Sequence, residues 1–68
     1  MKQIKSYLCD NCTPTDEEIM QCIEIANVED CIVELKWYSP YSGWYELCIS
    51  KDMTFEECKN ILPEVYPV

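Results

Sequence analysis

Apolar and polar residues alternate in two short runs near the middle of the chain, IVELKWY at 32–38 and WYELCIS at 44–50, with the turn-forming segment SPYSG at their junction. Such alternation is typical of a strand with one buried face. When Tyr38 is set opposite Trp44, Val33, Leu35 and Trp37 meet Ile49, Leu47 and Tyr45 on one face, and Lys36 meets Glu46 on the other. Because a slip of one residue would scramble this sorting, the pattern predicts a hairpin in this register.

The outer face of the predicted hairpin is polar along its length but aromatic at its tip. Tyr38, Tyr41 and Trp44 gather there, around a loop that Pro40 and Gly43 constrain. Tryptophan and tyrosine are the residues most enriched at the centres of protein interfaces. We therefore predict a recognition surface at the tip. The alternative is that these rings pack on one another or lie beneath the N-terminal strand.

Helical periodicity precedes the hairpin. Thr15 followed by Glu18 is typical of a capping box, in which each residue's side chain bonds the other's backbone N–H. Apolar residues then recur at helical spacing, at Ile19, Cys22, Ile23 and Ala26. The pattern predicts a first helix from about Asp16 to Asn27.

A second capping pattern follows the hairpin, with Thr54 and Glu57 in the same relation. The apolar stripe behind it consists of Phe55, Cys58, Ile61 and Leu62. Pro63 is expected to stop this second helix, because proline cannot continue the hydrogen-bond ladder of a helix.

The two ends of the chain complete the predicted sheet. Residues 3–8 carry Ile4, Tyr7 and Leu8 and predict a third strand. The tail PEVYPV offers a short fourth strand at most, since its prolines cannot donate to a ladder. The predicted fold is α+β in the order β-α-β-β-α. It is a small antiparallel sheet of about three strands with two helices on one face, a reduced ferredoxin-like arrangement.

Length limits the chain to one domain, residues 1–68, with room for one small core. Such domains often need added stabilisation, which a partner or a homodimer would supply. No apolar run approaches the roughly 20 residues of a membrane span, and the start of the chain lacks the apolar core of a secretory signal. We expect a cytoplasmic protein with no membrane partner.

Six cysteines in so short a chain allow two interpretations. Cys22 and Cys58 fall on apolar helix faces and Cys31 begins the inward row of the hairpin, where a thiol acts as a small apolar side chain. This placement predicts reduced, structural cysteines. In an exported form of the protein, disulfides across the domain are the alternative.

Cys9 and Cys12 lie in the predicted loop between the first strand and the first helix, and two thiolates at this spacing can hold one soft metal ion. The order of elements and the position of the pair resemble the heavy-metal-associated domain, a ferredoxin-like fold that carries copper or related ions. The resemblance implies that Cys9 and Cys12 bind copper or zinc. The chain departs from that family at Tyr7-Leu8, where a Gly-Met step is usual, and at residues 13–15, which separate the pair from the helix. Metal carriage is therefore the alternative prediction, and the leading one requires no cofactor.

The sequence supplies few groups for catalysis. It has no histidine, the usual general base near neutral pH, and its single glycine excludes the common phosphate-cradling loops. The pairs Glu17-Glu18 and Glu56-Glu57 fall in first helical turns, where carboxylates cap free amides and complement the helix dipole. We predict that the protein is not an enzyme.

The net charge of the chain also indicates which kind of partner it can bind. Thirteen acidic residues stand against five lysines and no arginine, a net charge of -8. This balance repels phosphate backbones, so direct nucleic-acid binding is not expected. The acidity either keeps a solvated surface soluble or steers the domain onto a basic partner. The residues assigned to partner binding are Tyr38, Tyr41, Trp44, Glu17, Glu18, Glu24, Glu34 and Glu46.

The leading prediction is a small, acidic, non-enzymatic protein-binding module that docks on a basic surface, such as that of a nucleic-acid-handling complex. In size, acidity and lack of catalytic residues, the chain is similar in kind to small phage-encoded inhibitors of host defence, including anti-CRISPR proteins. That resemblance implies a viral inhibitor that acts in the host cytoplasm. An ordered row of carboxylates would also allow it to mimic a nucleic acid.

Overall fold

The computed structural model describes residues 3–67 and confirms the element order β-α-β-β-α. The strands are β1 (Ile4–Leu8), β2 (Ile32–Ser39) and β3 (Gly43–Ile49). The α-helices are α1 (Asp16–Glu29) and α2 (Phe55–Ile61), and a 3-10 helix follows at Leu62–Glu64. Helix α1 continues beyond the predicted Asn27 and ends at Glu29, where the C-cap residue Asp30 adopts a left-handed conformation with φ of 48°.

The hairpin has the predicted register. Val33, Leu35 and Trp37 lie opposite Ile49, Leu47 and Tyr45, and Tyr38 lies opposite Trp44. At the tip, the N–H of Ser42 donates to the carbonyl of Ser39 at 3.2 Å. Gly43 then closes the loop with φ of 89°, a conformation that favours glycine. The alternation of apolar residues and the position of the SPYSG turn therefore predicted correctly how β2 and β3 pair.

The sheet is mixed, and the prediction of a purely antiparallel sheet is wrong. Strand β1 lies beside β2 and runs parallel to it, with Ile4 next to Ile32 and Leu8 next to Lys36. The physical reason is α1, because a helical crossover carries the chain back along the sheet so that the next strand runs in the same direction. Strand β2 is consequently the central strand, in the order β1-β2-β3.

The fold prediction also included a ferredoxin-like arrangement of the strands and a short fourth strand in the tail. The ferredoxin-like assignment is not confirmed, since β1 and β2 are direct neighbours, whereas the split β-α-β unit of that fold places another strand between them. In the tail, residues 62–67 form the 3-10 helix and an extended end without a strand, and the last residue lies outside the described range.

Both helices pack on one face of the sheet, as predicted. Ile19, Cys22 and Ala26 of α1 and Cys58 of α2 are buried in the core. They join one cluster with the inward residues of the hairpin, Val33, Leu35, Trp37, Leu47 and Ile49, and with Cys9 and Cys31. The side chains at the remaining strand positions therefore point to the opposite face, on which none of the helices of residues 3–67 packs.

No helix within residues 3–67 combines the length and the apolar character needed to cross a membrane.

Both helices begin with the predicted capping boxes. The hydroxyl of Thr15 accepts from the N–H of Glu18 at 3.2 Å, and the N–H of Thr15 donates to the Glu18 carboxylate at 2.9 Å. Thr54 and Glu57 make the same two bonds at 3.1 and 3.3 Å. The bond from the Thr15 backbone is the largest cause of a lowered pKa at Glu18.

Removing either cap should lower stability measurably. We expect Thr15→Ala and Thr54→Ala each to reduce the free energy of unfolding by about 1 kcal/mol, because each leaves a helix N–H without its acceptor. Urea denaturation followed by circular dichroism measures the change. Thr13→Ala is the matched control, since Thr13 is exposed in the loop before α1. An equal loss in Thr13→Ala would show that the cap is not responsible.

Candidate protein-binding surface

The face of the sheet without helices forms a continuous surface across all three strands. We call it the open face, and its side chains are Ile4, Ser6 and Leu8 of β1, Ile32, Glu34, Lys36 and Tyr38 of β2, and Trp44, Glu46 and Cys48 of β3. Its large apolar members remain accessible, with exposed fractions of 61% for Ile4, 62% for Leu8, 50% for Tyr38 and 47% for Trp44. Because these residues share one face, they form a patch rather than scattered exposures.

Tyr38 and Trp44 form an aromatic pair at the end of the open face. Their ring centroids are 5.4 Å apart and the rings meet edge to face at 60°. The two rings therefore pack on each other, which was the alternative interpretation of the sequence. Both also stay half exposed, as a recognition surface requires. On the opposite face Trp37 and Tyr45 stack with an angle of 4°, and Trp37 is buried in the core.

Tyr41 lies apart from this pair. It occupies the loop at the tip of the hairpin, where its side chain is almost fully exposed at 97%. An ordered ring with so little of its surface covered contributes almost nothing to the stability of the domain. It extends the aromatic surface beyond the end of the sheet.

A groove of about 540 Å³ opens on this surface. Leu8, Lys36, Trp44 and Glu46 line it from the open face, and Tyr45, whose ring stacks on Trp37 on the other face, also borders it. Leu8 belongs to one edge strand and Trp44 to the other, so the groove spans the sheet over the central strand. Its walls combine apolar, aromatic and charged groups, as binding sites for protein side chains do.

Glu34 and Glu46 place two carboxyl groups in contact on the open face. The pKa of Glu46 is raised, first by a hydrogen bond with the Glu34 carboxyl, then by burial and by the negative charge of Glu34. The positive charge of Lys36, which lies directly opposite Glu46, lowers the pKa of Glu46 but does not cancel these effects. A hydrogen bond between two carboxyl groups exists only while one of them holds a proton. Within residues 3–67, the buried Oε1 of Glu46 has no hydrogen-bond partner.

The structure separates the eight residues that the sequence assigned to partner binding. Tyr38, Trp44, Glu34 and Glu46 come together on the open face, with Tyr41 beyond its end. Glu17, Glu18 and Glu24 lie on α1, which packs against the other face of the sheet. Glu18 is also engaged in the cap of that helix. A single flat contact through the open face would therefore not include the glutamates of α1.

Cys9 and Cys12 lie in the predicted loop but in unlike surroundings. Cys9 is buried, and desolvation, followed by the charge of Glu18 and a hydrogen bond with it, raises the pKa of the Cys9 thiol to about 12. Cys12 is exposed. Because the thiolate is the form that binds metal, an ion at this pair would have to displace a strongly held proton from Cys9. Within residues 3–67, no group of three or more cysteine, aspartate or glutamate side chains is arranged to hold a metal ion.

Sequence reasoning missed the contribution of β1 to the surface. Ile4 and Leu8 flank Ser6 on the open face, while Lys5 and Tyr7 point to the helix side, where Tyr7 bonds Gln21 of α1 at 3.3 Å and Lys5 pairs with Glu29. The alternation of this strand was visible in the sequence. Its neighbour and register were not, and these decide which face Leu8 joins.

No known protein family matches the chain, and no curated protein or solved structure is significantly similar to it.

Proposed function

We propose that the protein is a small non-enzymatic binding module that uses the open face to dock on a basic surface of a partner protein. The observation that carries the proposal is the exposed Tyr38 and Trp44 pair, whose rings the core does not use. Its action as an inhibitor, of the kind made by phages, is part of the proposal, and the cytoplasm is the compartment we assign to it, that of the host if a phage encodes the chain.

Three properties of the surface support this function. Large aromatic rings held in a sheet bury much area on binding and lose little conformational entropy. Leu8 and Ile4 extend the apolar area across the sheet. The net charge of -8 attracts a basic partner from a distance and raises the rate of encounter.

Substitution of the aromatic pair tests the proposal. We expect Tyr38→Ser with Trp44→Ser to weaken partner binding by at least about thirtyfold, since interface hot spots contribute about 2 kcal/mol or more each. The measurement is affinity capture from a lysate of the native host, with identification of the bound protein by mass spectrometry and its affinity determined afterwards by calorimetry.

Tyr66→Ser provides the matched control, because Tyr66 is 82% exposed in the tail, away from the sheet. Circular dichroism of each variant verifies that the fold persists. Capture of the same protein with equal affinity by the wild type and the double variant would refute the open face as the docking surface.

A further inference from the structure

The groove on the open face brings together an aromatic ring, an aliphatic wall and a carboxyl pair. Trp44, Leu8 and Glu46 line it, and Glu34 contacts Glu46 beside it. Two carboxyl groups this close repel each other when both are ionised. One cation placed between them would relieve that repulsion and provide a donor for the buried Oε1 of Glu46, which lacks one within residues 3–67.

We propose that this groove receives an arginine side chain of the partner protein, with the guanidinium group against the Trp44 ring and hydrogen-bonded to the carboxylates of Glu34 and Glu46. The inference rests on the proposed function and specifies which group of a basic partner enters the open face. It assigns the two glutamates a role in specificity and Trp44 a role in affinity.

The chemistry of the groove favours a guanidinium over an ammonium group. Arginine presents five N–H donors in a planar fork, so one side chain can bond two neighbouring carboxylates at once. The same plane stacks on an aromatic face, where the ring attracts the positive charge. A lysine ammonium is a more strongly hydrated point charge and satisfies neither geometry as well.

The guanidinium has to come from another protein. The chain contains no arginine and carries a net charge of -8, so a second copy has no such group to offer. Lys36 also lines the groove, and it forms no ion pair within the part of the chain that the structure describes. Its long aliphatic stem allows the ammonium group to turn toward solvent when a second cation enters.

Titration with a small arginine derivative tests directly whether the groove binds an arginine side chain. Nα-acetyl-arginine amide is added to the ¹⁵N-labelled protein, and two-dimensional NMR spectra follow the indole N–H of Trp44 and the amides of Leu8, Lys36 and Glu46. We expect saturable shifts at these positions and none at the indole of Trp37, which lies buried on the opposite face. Nα-acetyl-lysine amide should bind more weakly, and the uncharged citrulline analogue should not bind.

Two charge-matched variants complete the test. Glu46→Gln removes one carboxylate from the groove and should weaken arginine binding by about tenfold, as expected for loss of a charge-assisted hydrogen bond. Glu56→Gln removes the same charge from the exposed surface of α2 and should leave binding unchanged. Equal shifts with citrulline, shifts located elsewhere, or unchanged affinity in Glu46→Gln would each overturn the proposal.

These outcomes are distinguishable from failure of the docking surface itself. One outcome is that the arginine probe causes no shifts in the groove while substitution of Tyr38 and Trp44 still abolishes partner capture. In that case the proposal of an arginine in the groove is wrong, and the open face is still supported as the docking surface. If capture persists in that double variant, the docking surface is wrong whatever the probe does.

Discussion

Replacement of Leu35 by alanine is expected to remove about half or more of the free energy of unfolding of the domain. Leu35 is fully buried at the middle of the central strand and belongs to the hydrophobic core that residues 3–67 form. A buried Leu→Ala change costs about 2–5 kcal/mol, because the lost contacts leave a cavity. Domains near the small end of the size range have a total stability of about 5 kcal/mol. Far-UV circular dichroism and urea denaturation at 25 °C measure the loss.

Leu8→Ala is the control for this prediction. It deletes the same atoms from the same sheet, but on the open face, where Leu8 is 62% exposed. We expect its stability to stay within about 0.5 kcal/mol of the wild type, as for other surface substitutions. A loss comparable to that of Leu35→Ala would show that the open face is covered in the isolated protein, contrary to its assignment as a free surface.

The six cysteines are expected to separate into two reactivity classes under native conditions. Cys12 and Cys48 are exposed, whereas Cys9, Cys22, Cys31 and Cys58 are buried. Burial also raises the pKa of Cys9 to about 12 and of Cys22 to about 11, which lowers the fraction of reactive thiolate. We expect the buried class to react with iodoacetamide at least about a hundredfold more slowly than Cys12, since reaction has to await opening of the core.

Intact mass measured over time after reduction and removal of the reductant checks this expectation. Two adducts should form first, and six should form in denaturing urea. Within the fast class Cys48 should follow Cys12, because burial and the charges of Glu46 and Glu34 raise the pKa of Cys48. Modification of Cys9 as fast as Cys12 would contradict the packing of the loop between β1 and α1.

The hairpin and the helix starts were predictable because their signals are local. Register in a two-stranded ribbon follows from which residues must face the core and from the length of the turn, and a slip of one residue would have scrambled the sorting. The caps at Thr15 and Thr54 need only residues three positions apart. In both cases short-range chemistry decides the outcome, and the structure agrees with it.

The neighbour of β1 in the sheet was not predictable in the same way. Parallel and antiparallel strands share a period of two, so Ile4, Ser6 and Leu8 give no sign of the strand that lies beside them.

The location of the glutamates on α1 follows from how the helix packs rather than from their charge. Since α1 covers the apolar face of the hairpin, Glu17 and Glu24 had to lie on the side of the sheet opposite Trp44.

The parallel placement of β1 has a consequence for how the domain assembles. Its links to β2, such as the bond from the N–H of Cys9 to the carbonyl of Lys36 at 2.8 Å, join segments more than two dozen residues apart. The hairpin instead closes over a tight turn, at much lower entropic cost. Strand β1 is thus expected to dock last, and the part of the open face that Ile4, Ser6 and Leu8 supply is completed only when it does.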